Sequence, residues 1–148
     1  MRELIIVGRP NSGQTLFTLN FAAYNGNKTV DIIFCTYDGI TTCRHFSIAE
    51  AKSQLCNMTV HKTRSFQSLI LKMARGKATI LCKITDTCGI IENIHPDESI
   101  RRGMSQTLNL LRSADYILHI IDAASLGSNS PSTIDQEIYN YGMVRKCY

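Results

Sequence analysis

Apolar and polar positions alternate along the chain in a pattern that predicts strands and helices in turn. Leu4, Ile5, Ile6 and Val7 form a short apolar run, read as a buried strand that stops at Gly8. A polar loop follows to Gly13, and from Gln14 the spacing of Leu16, Phe17, Leu19 and Phe21 predicts a helix to Tyr24. Asn25-Gly26-Asn27 is a helix-stop signal. Thr29 to Phe34 predicts a strand, and Thr36 to Thr42 holds a turn at Asp38-Gly39. Ser47 and Glu50 form a capping box ahead of a helix from Ile48 to about Leu55 or Cys56. Ser68 to Met73 and Lys77 to Thr85 flank Ala74-Arg75-Gly76 and read as a hairpin. The second of these strands runs into Asp86-Thr87-Cys88-Gly89, and a charged stretch continues to about Glu98. Ile100, Met104, Thr107, Leu108 and Leu111 then mark one apolar face of a helix over Ser99–Arg112. Tyr116 to Ile121 predicts another buried strand ending at Asp122, Gly127 to Pro131 a loop, and Thr133 to Tyr141 a last amphipathic helix.

Strands alternating with helices predict an α/β fold, a three-layer sandwich around a mostly parallel sheet with its site at the carboxyl ends of the strands. At 148 residues the chain suits one domain, and the net charge of +4 is spread along it, so neither names a partner. No apolar run reaches membrane-spanning length and no leader is legible, so the expected location is the cytoplasm. None of the six cysteines falls in a zinc-like spacing; they are read as reduced thiols, with Cys82 in the core.

The chemistry lies in two places. Gly8 and Gly13 occupy the glycine positions of GxxxxGK[ST], Thr15 the hydroxyl position, and Gln14 the lysine position. A loop of this kind turns backbone N–H groups toward a phosphate, and the helix after it adds its own free N–H groups and the positive end of its dipole. The hydroxyl holds Mg²⁺. Gln14 keeps a neutral donor where an ammonium belongs. A charge-assisted hydrogen bond is worth roughly 1.5–3 kcal/mol, so phosphate affinity is expected to fall about ten- to a hundred-fold or more. The second place is Asp86-Thr87-Cys88-Gly89, a DxxG at the end of a buried strand. In P-loop GTPases the Asp of that motif reaches Mg²⁺ through water and the Gly N–H meets the γ-phosphate.

With IIVGRPNSGQT, KITDTCGI and RSADYILHIIDAAS on the page, the chain resembles the Era/TrmE-type bacterial GTPases of the translation-factor class, which have a Ras-like G domain. The resemblance covers most of the chain in order, with gaps. It implies GTP or GDP with Mg²⁺, bound by Gly8, Asn11, Ser12, Gly13, Gln14, Thr15 and Gly89, with Thr15, Asp86 and a switch I threonine at the metal. That threonine is Thr63, followed by Arg64, or else Thr42 in GITTCR; the first choice makes about Val30 to Met58 an insertion. Ile90 stands where a glutamine that aligns the attacking water can stand, and Cys88 replaces the usual proline or alanine. The family's [NT]KxD and SAK-like guanine-reading motifs are missing; Asn27-Lys28-Thr29-Val30-Asp31 has one residue too many. The expectation is a partial G domain, either a piece of a larger GTPase or a protein that lacks that half. A sheet edge is expected beside the Leu4 or Tyr116 strand, inviting self-association. The competing reading is a degenerate P-loop scaffold that acts through protein contacts, with the Ile48 helix and the Ser99–Arg112 helix as contact surfaces.

Overall fold

The computed structural model describes residues 1–36, 38–56, 65–125 and 131–144. The elements run β1 (Arg2–Gly8), α1 (Gln14–Tyr24), β2 (Thr29–Thr36), β3 (Thr41–Ser47), α2 (Ile48–Leu55), β4 (Ser65–Arg75), β5 (Ala78–Asp86), α3 (Glu98–Ser113), β6 (Tyr116–Ile120) and α4 (Thr133–Val144). Among the described residues six strands form one sheet in the order β3-β2-β4-β5-β1-β6.

The sheet is mixed, where a mostly parallel one was expected. β1 pairs in parallel with β5 and β6, whereas β3–β2, β2–β4 and β4–β5 are antiparallel. Connection length accounts for part of this. Short turns at Asp38-Gly39 and Gly76-Lys77 make β2–β3 and β4–β5 antiparallel, and β1, β5 and β6 are linked through helices and can lie parallel. β2 and β4, joined through β3 and α2, pair antiparallel as well. The strand that the residue pattern misses is β3. Five of its seven residues, Thr41 to His45, are exposed, so no face of it alternates. It forms the edge of the sheet, and its pairing with β2 alone defines it.

Alternation along β1 divides the core. Ile6 joins Leu19 and Ala22 of α1, Ala51 of α2, and Ile32, Leu69, Leu71 and Ile84 of the neighbouring strands. Ile5 and Val7 point the other way and join Ile90, Leu111 of α3 and Ile138 of α4. Helices therefore cover both faces. Cys82 is buried, as its position in an apolar strand predicts. The predicted capping box on α2 is complete: Glu50 N–H donates to Ser47 Oγ (3.2 Å) and Ser47 N–H to Glu50 Oε2 (2.9 Å).

β1 is an interior strand, so the Leu4 strand offers no edge. Of the two strands considered for an open edge, only the Tyr116 strand, β6, lies at one among the described residues. No helix of the described residues is long and apolar enough to cross a membrane.

Candidate functional site

β1 ends at Gly8 and α1 begins at Gln14, so the loop between them closes over the first turn of the helix. Two of its residues lie in the left-handed region, Asn11 at φ 64° and Gly13 at φ 88°. Asparagine and glycine are the residues that tolerate it. Gly8 is needed for space. A Cβ there would lie 2.5 Å from the Ile120 carbonyl oxygen and 2.7 Å from Ser12 Oγ. Ser12 N–H donates to the Arg9 carbonyl (3.2 Å), which tightens the turn.

The Asp86–Gly89 segment crosses directly against this loop. Thr87 Oγ1 donates to the Ile6 carbonyl (2.8 Å) and Ile90 N–H to the Gly8 carbonyl (2.9 Å). Gly89 then packs so close that a Cβ would fall 2.5 Å from the Pro10 nitrogen. Ile90 turns its side chain into the core with Val7 and Leu111, away from the loop. His95 and Glu92, on the charged stretch, stand apart: His95 Nδ1 accepts from Asp97 N–H, and Glu92 is exposed.

Thr15 Oγ1 donates to Asp86 Oδ2 at 2.5 Å. Asp86 is 1% exposed, and burial pushes its carboxyl up to about 6, the Thr15 hydrogen bond pulling the other way. Four buried side-chain atoms of the described residues have no hydrogen-bond partner: Ser12 Oγ, Gln14 Nε2, Gln67 Oε1 and Asp86 Oδ1. All four belong to the loop, the start of α1, or the adjoining ends of β4 and β5. Buried polar groups are paired in nearly all native structures, so a cluster of unpaired ones marks where a ligand belongs. Gln14 is itself buried, and its Nε2 lies 3.1 Å from where a Gly8 Cβ would sit.

The donor set suits a hard cation. Thr15 and Asp86 offer a hydroxyl and a carboxylate oxygen, and Mg²⁺ is commonly held by one or two such groups together with a substrate's phosphates. Of the threonines weighed for switch I, Thr63 lies outside the described residues. Thr42 sits on edge strand β3, with β2 and β4 between it and β5, and is not brought to Asp86. Gln67 is the buried member that sequence reasoning passed over. The only signal was a polar residue in step with Leu69 and Leu71, one position ahead of the predicted strand.

A separate cleft of about 140 Å³ flanks the loop, lined by Arg9, Asn11 and Ser12, by Ile120 and Asp122 at the end of β6, and by Asp135 of α4. It includes neither Thr15 nor Asp86. On its α4 side, His119 Nε2 and Asp135 Oδ1 are 2.8 Å apart, and Ser132 Oγ donates to Asp135 Oδ2 (2.7 Å).

A strand, a glycine-bordered loop and a helix, crossed by an aspartate–glycine turn from the neighbouring strand, define a P-loop GTPase domain. The family model for 50S ribosome-binding GTPases matches residues 3–146, and the chain belongs to that family. The tRNA modification GTPase MnmE of Mesomycoplasma hyopneumoniae, in strains J, 232 and 7448, is similar to it: 29% identical over 119 residues, covering 70% of this chain and 26% of the relative. The chain thus spans about a quarter of the length of the curated relatives it matches.

Proposed function

We propose that the chain is a guanine-nucleotide switch domain of the Era/TrmE type, a three-layer Ras-like G domain working with Mg²⁺ and weakened at one position. The observation that carries this reading is the cluster of unpaired buried atoms around Thr15 and Asp86. The backbone from Gly8 to Thr15, including Asn11, Ser12 and Gly13, receives the phosphates, helped by the free N–H groups at the start of α1. Gln14 donates one neutral hydrogen bond where a lysine would place a charge. Thr15 and Asp86 hold the cation, and Gly89 offers its N–H to the γ-phosphate. Thr63 is the switch I threonine in this reading, and residues from about Val30 to Met58 are an insertion whose strands extend the sheet beyond β4. Bound Mg²⁺ would neutralise phosphate charge as it develops.

The reaction served is attack of water on the γ-phosphoryl group. This chain's own residues favour a slow one. Gln14 cannot stabilise charge as an ammonium does, and Ile90, turned into the core, cannot align water.

A second reading, a scaffold of the same fold acting through protein contacts, is favoured by Gln14 and by the exposed apolar side chains of α1, Leu16, Phe17 and Tyr24. Titration of fluorescent GDP and GTP analogues with Mg²⁺ separates the two, on this chain and on Gln14→Lys, with ATP as competitor. The switch reading expects guanine-selective binding that tightens about ten- to a hundred-fold in Gln14→Lys. Absence of binding in both proteins overturns the nucleotide reading for this chain.

A further inference from the structure

The ladder between β4 and β5 treats two successive residue pairs differently. Ser68 faces Thr85, and their hydroxyls bond each other at 3.0 Å. The next pair, Gln67 opposite Asp86, has no such closure. Gln67 is 7% exposed and Asp86 1%, yet Gln67 Oε1 and Asp86 Oδ1 are both unpartnered.

The two side chains share a face. Leu69 and Leu71 of β4, with Cys82 and Ile84 of β5, lie in the core cluster beneath α1. Side chains in a strand alternate with period two, so Gln67 and Asp86 face the same way, at the end of that row nearest the phosphate loop. Directly opposed residues have Cβ atoms about 4.5–5.5 Å apart. An ionised carboxylate oxygen and an amide oxygen both accept, so in that state they cannot satisfy one another. The Thr15 hydroxyl already donates to the other Asp86 oxygen. What completes the pair must bring hydrogen-bond donors or positive charge. A hydrated divalent cation brings both, and a neutral amide oxygen is a ligand that such hard ions accept.

We propose that Gln67 is a positioning residue of the divalent-cation site, its Oε1 acting with Asp86 to hold the cation and its water. This rests on the reading that Thr15 and Asp86 bind a cation beside nucleotide phosphates. Gln67 adds to that set a group from β4, the strand next to the one that ends in Asp86.

The test is titration of the full chain with Mn²⁺, followed by electron paramagnetic resonance, in excess GDP. Gln67→Met keeps the length of the side chain and removes the oxygen. It is expected to weaken Mn²⁺ binding about tenfold. GDP affinity in EDTA should stay the same, and Tm without metal should rise, because an unpaired buried acceptor has gone. Gln67→Glu adds charge at the same place and is expected to tighten Mn²⁺ binding. A residue that only packs would not give opposite changes in the two variants, nor raise Tm while lowering metal affinity. Mn²⁺ affinity within about twofold of the parent in Gln67→Met, with binding still lost in Asp86→Ala, overturns the role of Gln67 and leaves the cation site standing. Absence of Mn²⁺ binding in the parent chain overturns the cation reading and this inference together.

Discussion

The two halves of the sheet handle their polar groups in opposite ways. In the antiparallel half, β3, β2 and β4 with α2, local partners satisfy them. The Asp38-Gly39 turn closes with Gly39 N–H donating to the Thr36 carbonyl at 2.9 Å, and Ser47 and Glu50 cap α2 reciprocally. In the parallel half, the ends of β1 and β5 leave Ser12, Gln14 and Asp86 with buried atoms unpaired, and the chain turns through left-handed Asn11 and Gly13. Among the described residues Gln67 Oε1 is the one such atom on a strand of the antiparallel half, and its residue lies in the row that leads to Asp86. Local rules that agree make a stable structure; places where they break are where a ligand is accommodated.

Glycine substitutions test that contrast most harshly. Gly8→Ala forces a Cβ against backbone, so it should destabilise the fold by about 3 kcal/mol and abolish nucleotide binding, read by thermal melts and fluorescent GDP titration. Gly39→Ala, in the open turn at φ 86° with nothing within 4 Å of a Cβ, should cost about 1–2 kcal/mol and leave binding unchanged. Equal effects would erase the distinction between the halves.

Acid should act through the site. The Asp86 carboxyl is raised from 3.8 to about 6 when folded. Below the lower value both states are protonated and the contribution to stability is fully present. As pH rises the unfolded chain ionises first, so stability falls through about 6 and levels off above it. The loss is roughly 3 kcal/mol. Denaturant melts without divalent cation, from acid to neutral pH, should show it, and Asp86→Asn should flatten it. Added Mg²⁺ favours the ionised form and should restore stability above about 6.

Smaller effects lie away from the phosphate loop. Ser47→Ala removes the cap of α2 and should cost about 1 kcal/mol, with nucleotide affinity unchanged. Arg102→Ala breaks exposed pairs to Glu98 (2.8 Å) and Asp38 (3.7 Å) and should shift stability by less than about 0.5 kcal/mol.

Much of this architecture was legible in the residues because its signals are local. The bounds of α1 fall where the pattern and the Asn25-Gly26 stop place them, Gln14–Tyr24. The capping box announced α2, and apolar runs announced β1 and β6. The glycines of the phosphate loop and the Asp86–Gly89 motif were legible too, since each needs particular residue types at set spacing. Three things needed the folded chain. β3 carries little apolar signal and exists as a strand because β2 pairs with it. Whether the sheet was parallel or mixed depended on which strands became neighbours. Gln67 looked like an ordinary polar residue until the register set it opposite Asp86. Periodicity, caps and glycine turns act over a few residues and are written along the chain. Strand neighbours, register and the burial of two unpaired oxygens on one face of the sheet depend on contacts between distant segments, and only packing determines those.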